Sequence, residues 1–133
     1  MADFVHLHVH SEYSLLDGLG KLDDLIARAK SFGMKSLALT DHGAMYGCFK
    51  FYLKAKAAGI NPILGVETYV AQKDCRTKDA GERYSHLILL AETTAGWKNL
   101  IQLVTKAHLE GFYYKPRIDK TLLREHREGL IGL

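Results

Sequence analysis

A chain of 133 residues that is 47% hydrophobic and 25% charged is long enough for one buried core and too apolar for a disordered chain. Its net charge of +3 pulls weakly towards polyanions and names no partner. The N-terminus has no basic leader, no run of about 18 apolar residues occurs, and Cys48 and Cys75 lack CxxC spacing, so we expect a cytoplasmic protein with free thiols rather than a secreted, membrane-spanning or zinc-knuckle one.

The stretch FVHLHVHSEYSLLDG, from Phe4 to Gly18, opens the chain. His6, His8 and His10 alternate with Val5, Leu7 and Val9, and in an extended strand this period of two sends all three imidazoles to one face. Imidazoles crowded on one face repel when protonated and, if buried, need partners to offset desolvation. A shared metal removes both difficulties, although an HxH pair also arises by chance. Asp17 adds a carboxylate on the loop marked by Ser11, Ser14 and Gly18.

Leu22, Leu25, Ile26, Ala29 and Phe32 then recur at helical spacing up to Gly33, a natural C-terminal stop. Ser36 to Thr40 reads as a short buried strand that runs into Asp41, His42 and Gly43. Phe49, Tyr52, Leu53 and Ala57 mark a second helix closed by Gly59. The apolar strand from Pro62 to Val70 is interrupted by Glu67. A solvated edge can carry one glutamate harmlessly, but a strand flanked by helices is usually covered on both faces, and there an unpaired carboxylate needs a cation.

Ala71 to Tyr84 is almost entirely polar and reads as a solvated loop, long enough to act as a flap or simply to vary. His86 opens a fourth strand, HLILLA, and Thr93 or Thr94 can cap the next helix. There His108 falls on the apolar face with Trp97, Leu100, Ile101 and Val104, as a core or helix-end histidine. Asp119 can cap a short helix to Glu125, leaving His126 exposed in its last turn, and Leu130 to Leu133 begins another strand. Aromatic and basic residues interleave from Tyr113 to Arg127, a pattern that can stack bases and contact phosphates but equally makes a solvated surface.

Alternating strands and helices predict an α/β fold with a parallel sheet or barrel, whose chemistry gathers at the C-terminal ends of the strands. His8, His10 and His42 meet that rule. His86, at the start of a strand, fits only if its strand begins later, runs antiparallel, or lies outside the site.

Taken together, LHVHSEYSLLDG, LALTDHGAMYG, INPILGVETYV and YSHLILLAETTAGWKNL resemble the polymerase and histidinol phosphatase (PHP) domain, in the form found at the N-terminus of bacterial replicative DNA polymerase III alpha subunits. The resemblance covers the whole chain, residues 1–133. It implies an irregular seven-stranded barrel, of which about five strands would be present here, so this chain is expected to be the N-terminal part of a longer polypeptide. It also implies up to three divalent ions. His8 and His10 would hold the first with Glu67, Glu67 would bridge to a second held by His86, and Asp17 and His42 would bind a third. Asp17, His42 and Glu67 are the residues expected to serve catalysis directly, and further ligands would lie beyond Leu133.

Histidine and carboxylate donors suit zinc, manganese or iron better than magnesium, and phosphodiester hydrolysis needs such ions. Asp41 either orients an imidazole or caps the turn after it. The resemblance implies a DNA polymerase as the parent protein, with this domain a metal-dependent 3′–5′ exonuclease that proofreads. The alternative is a noncatalytic domain that supports the fold or docks a separate proofreading exonuclease. A free-standing phosphatase is disfavoured by the polymerase-like TAGWKNL and EGFYYKPR. The partners implied are DNA, the sliding clamp, tau and that exonuclease, with no membrane.

Overall fold

The computed structural model describes residues 4–133; Met1 to Asp3 of the expected domain lie outside the described residues. The elements run α1 (Leu22–Ser31), β1 (Ser36–Leu39), α2 (Cys48–Ala58), β2 (Asn61–Ala71), β3 (Tyr84–Ala91), α3 (Thr94–Leu109), β4 (Phe112–Tyr113), β5 (Lys115–Ile118), α4 (Lys120–Glu125) and β6 (Leu130–Gly132). The sheet order is β4-β5-β2-β3-β6, with β1 also on β2.

β2 is the axis. Its first half pairs in parallel with β1, and its Tyr69 and Val70 pair in parallel with β5. Its other edge pairs with β3 in antiparallel register from Gly65–Leu90 to Ala71–Tyr84. Alternation alone suggested parallel neighbours throughout. The reversal follows from the connection, because a parallel return needs a crossover that packs on the sheet and the polar segment after β2 has no apolar face to pack.

Leu22, Ile26 and Ala29 bury the expected face of α1 beneath β1. Phe32 is 54% exposed instead, with the Arg28 guanidinium 4.4 Å from its ring centre. In α2 the expected face is reversed. Cys48, Phe51 and Ala55 are buried, whereas Phe49, Tyr52 and Leu53 are exposed, Phe49 and Tyr52 lining an open groove with Pro62, Leu64 and Trp97. Apolar residues occupy both faces of this helix, so periodicity had no contrast to read. Thr93 caps α3, accepting from the Gly96 N–H at 3.1 Å. The helix buries Leu100, Leu103 and Ala107 against β2, β5 and α4.

The histidine segment is not a strand. The Ala38 N–H donates to the His6 carbonyl and the Thr40 N–H to the Val9 carbonyl, a step of two residues on one side and three on the other. No ladder survives that mismatch. The chain bends at His8, and His6 packs edge-on against Phe4, outside the groups of ligating side chains that His8 and His10 join.

Nor is Ala71 to Tyr84 a free flap. Arg117, 3% exposed, donates to the carbonyls of Gly111, Cys75 and Thr77 and to the Glu82 carboxylate at 3.2 Å. Asp119, the N-cap of α4, also accepts from the Cys75 N–H at 3.0 Å. Both ends of the loop are therefore tied to β5 and α4. Arg117→Met strands the Glu82 carboxylate and three carbonyls, and should cost about 3–5 kcal/mol of stability in urea unfolding. Lys73→Ala, on the exposed part of the same loop, should stay within about 0.5 kcal/mol.

Candidate metal centre

Glu67 stands near the middle of β2 and is 2% exposed. Beyond β1 the chain continues beside it. The Glu67 N–H donates to the Asp41 carbonyl and the Gly43 N–H to the Glu67 carbonyl, which places His42 directly alongside. On the other edge the register pairs His86 with Tyr69, one step along the same face. Because β3 runs antiparallel, its first residues return to the end of the sheet where β2 finishes. The awkward position of His86 at a strand start is resolved by that reversal.

Each Glu67 oxygen faces its own pair of imidazoles. Oε2 lies 2.6 Å from Nε2 of His8 and 2.9 Å from Nε2 of His10. Oε1 contacts Nδ1 of His86 and lies 3.5 Å from Nδ1 of His42. Asp17 meets His42 from the solvent side, its Oδ2 2.6 Å from Nε2. His8, His10 and Glu67 thus form one group with metal-ligating geometry, and His10, Asp17 and His42 a second. The structure brings together all six residues singled out in the sequence.

The loop bearing Asp17 is held by Asp41, 1% exposed, which accepts from the Ser11 N–H at 2.6 Å and from the hydroxyls of Ser11 and Ser14 at 2.9 and 2.7 Å. Ser14 then accepts from the His42 N–H at 3.1 Å and lies 3.0 Å from Nδ1 of His10. Its one proton is committed to Asp41, so Nδ1 of His10 must donate. That leaves the Nε2 lone pair of His10 facing a carboxylate oxygen, a contact that needs a cation to be favourable. Asp41 therefore orients an imidazole, through Ser14.

His42 Nδ1 is buried with no hydrogen-bond partner, a costly state unless a ligand completes it. This orphaned nitrogen and the convergence of imidazole and carboxylate donors fit a divalent ion of the zinc, manganese or iron kind. Desolvation pushes the Glu67 carboxyl up, but the His8 hydrogen bond and the His42, His86 and His10 charges outweigh it and hold it below the usual range. Burial and the neighbouring His42 depress His10. A third cluster, Asp74, Cys75 and Asp119, fits an ion poorly. Asp119 already accepts three backbone N–H groups, and burial pushes the Cys75 thiol up to about 11.

Sequence reasoning missed Ser14 as a support, although it follows His10 by four residues. It also missed two roles around His42. Tyr69, 4% exposed, lies with its ring centre 6.0 Å from that of His42. His108, at the end of α3 as expected, has Nε2 2.9 Å from the Gly43 carbonyl and braces the turn after His42.

Two outcomes follow, the first for the chain kept in chelator and the second for the chain freed of it. Because His10 and Glu67 are both depressed on folding, the unfolded chain binds protons more readily, and stability falls on acidification. The loss should begin below about pH 6.5 at His10 and continue below about pH 4.5 at Glu67, the ordinary values of those groups, read as a falling urea midpoint. At Gly18 a Cβ would sit 1.9 Å from the Ser11 carbonyl, so Gly18→Ala should displace Asp17 and reduce zinc or manganese uptake in equilibrium dialysis.

Residues 6–133 match the PHP domain family. The chain is 53% identical over 131 residues to the DNA polymerase III subunit alpha of Borreliella burgdorferi, covering 96% of this chain and 11% of that relative. It thus spans about a tenth of the length of the curated relatives it matches. Among solved structures, an amidohydrolase from Chromobacterium violaceum aligns with a TM-score of 0.57 at 27% identity, over 80% of this chain and 33% of that one. A protein from Bifidobacterium adolescentis assigned as a metal-dependent phosphoesterase aligns with a TM-score of 0.51 at 16% identity, over 77% of this chain and 32% of that one. The α/β fold with its mixed sheet, the ordered histidine and carboxylate motifs and the family match agree: the chain belongs to the PHP domain family.

Proposed function

We propose that this chain is the N-terminal part of the PHP domain of a DNA polymerase III alpha subunit, and that in the full-length polypeptide the domain hydrolyses phosphodiester bonds as a 3′–5′ proofreading exonuclease. The observation that carries the reading is Glu67, a buried carboxylate with each oxygen turned towards a separate pair of imidazoles. Identity of about half to alpha subunits of several bacteria supports the parent protein. Its partners would be DNA, the sliding clamp, tau and any separate proofreading exonuclease, in the cytoplasm. No helix is long and apolar enough to cross a membrane among the described residues.

His8, His10 and Glu67 would hold one divalent ion, Glu67 and His86 a second, and Asp17 and His42 a third. Ions bound there supply neutralisation of phosphate charge and a water acidic enough to ionise near neutral pH. The residues of the chain do the rest. Asp41, through Ser14, keeps the Nε2 lone pair of His10 aimed at the centre. His108 fixes the turn that presents His42. Asp17, His8 and His86, with side chains 60%, 53% and 51% exposed, leave the solvent side open for a phosphate to approach.

The test is His10→Ala in the full-length polypeptide. Metal-dependent removal of 3′ nucleotides should disappear while primer extension persists. Nuclease activity equal to the unmodified protein sinks the reading. If neither form removes nucleotides and the substitution lowers bound metal and melting temperature, the cluster serves the fold or a docked exonuclease instead.

A further inference from the structure

Beside the metal centre stands a short hairpin, β4 and β5, in which Phe112 pairs with Pro116 and Tyr113 with Lys115. Tyr114 alone makes its tip. It has a φ of 58° and is 77% exposed. A left-handed tip is a natural seat for glycine or asparagine, and a tyrosine there is held in an uncommon conformation without gaining burial. Its ring meets that of Tyr113 edge-on, 4.5 Å between ring centres, and otherwise stands largely in solvent.

The hairpin is seated on the site itself. A Cβ on Gly43, the residue after His42, would meet Pro116 at 2.6 Å and Tyr69 at 3.1 Å. The parallel register pairs Arg117 with Tyr69, so Lys115, two residues earlier, shares the face that carries Tyr69 and Glu67. The Lys115 ammonium lies 5.4 Å from the centre of the Tyr69 ring, which also neighbours His42, His86 and Tyr84 at 6.0, 5.1 and 5.2 Å between ring centres. Arg117 spends its guanidinium on the loop before β3, whereas Lys115 is exposed and enters none of the ion pairs among the described residues. An unpaired cation and an exposed aromatic ring on adjacent residues form the pair of groups that holds a single nucleic-acid strand, one on the phosphate and one on the base.

We propose that the Tyr113–Lys115 hairpin is the strand-binding arm of this metal centre: Lys115 contacts a backbone phosphate of single-stranded DNA and Tyr114 stacks on a base near its 3′ end. This deepens the hydrolytic reading above and rests on it for the choice of DNA as ligand. With ions in the centre taking the phosphate to be cleaved, Lys115, beside Tyr69 at the rim, is placed to meet a neighbouring phosphate of the same strand.

The test uses the full-length polypeptide loaded with manganese. A single-stranded oligodeoxynucleotide with 5-iodouracil at its 3′ end and a cleavage-resistant phosphorothioate before it is photocrosslinked, and adducts are located by tryptic mass spectrometry. The expected adduct lies on Tyr114, and Lys115→Gln reduces its yield and lowers the salt dependence of crosslinking by about one phosphate contact. With a cleavable strand, Tyr114→Gly, which suits the left-handed tip, should raise KM roughly 5- to 150-fold, the value of one stacked base. Its melting temperature and bound metal should not fall. Cleavage by the unmodified protein without an adduct on this peptide, and with KM unchanged in Tyr114→Gly, overturns the arm and leaves the hydrolytic reading intact. An adduct on Tyr114 without metal-dependent cleavage upholds the arm as a DNA contact and retires the hydrolytic reading.

Discussion

A carboxylate removed from water in the middle of the longest strand is the constraint on which the rest of this structure turns. Glu67 is costly to bury as an anion, and desolvation pushes it towards the neutral form. The surrounding imidazoles oppose that and keep it ionised, yet burial and His42 also depress His10. Protons are thus driven off the imidazole and off the carboxylate that face each other. What remains near neutral pH is an acceptor nitrogen 2.9 Å from an acceptor oxygen, an arrangement that repels until a cation enters. The proposed ions answer an electrostatic demand already present in the fold.

Meeting that demand dictates the topology around β2. One edge must admit His42, which it does because the chain after β1 stays beside β2 long enough to bridge at Glu67 before turning at Gly43. The other edge must admit His86, which it does because β3 returns antiparallel. His8 and His10 come from a segment too irregular to pair in a ladder, and their placement relies on the Ala38 and Thr40 N–H groups, on the Thr40 hydroxyl and on Ser14. The turn at Gly43 is secured from three directions, by Glu67, His108 and the Pro116 ring. The order of strands is therefore inseparable from the order of ligands.

Residue chemistry was legible in the sequence where burial and charge conflicted, and less so where geometry decided. Glu67 declared itself because an apolar strand does not tolerate a bare carboxylate, and His8 and His10 because imidazoles at that spacing need a common partner. His6 shared the spacing but not the outcome, since a slip between the histidine segment and β1 is a matter of registry that no local pattern encodes. The buried face of α2 was lost for another reason: Phe49, Tyr52 and Leu53 are as apolar as Phe51 and Ala55, and only the packing of α1 and β2 selects between them. The loop before β3 looked solvated because its polar residues dominate, whereas its anchors, Arg117 and Asp119, lie more than 30 residues further on. The same distance in sequence hid the hairpin beside Gly43.

The loop that carries Asp17 shows how the centre and the fold share stability. Leu15, Leu16 and Leu19 are 79%, 109% and 96% exposed, so packing holds little of it. Leu16 has a φ of 67°, a left-handed conformation that costs on the order of 1–2 kcal/mol for a side chain of this kind. Against that stand the hydrogen bonds that Asp41 receives from Ser11 and Ser14, each worth about 1.5–3 kcal/mol to a charged acceptor. These bonds outweigh the strain at Leu16, and Tyr13, packed against the core beneath the loop, adds an apolar anchor at its start. A cation drawn to Asp17 and His42 would bind only the ordered loop, and by linkage would stabilise the arrangement that presents its own ligands. Order in this loop and occupancy of the centre are consequently two readings of one equilibrium.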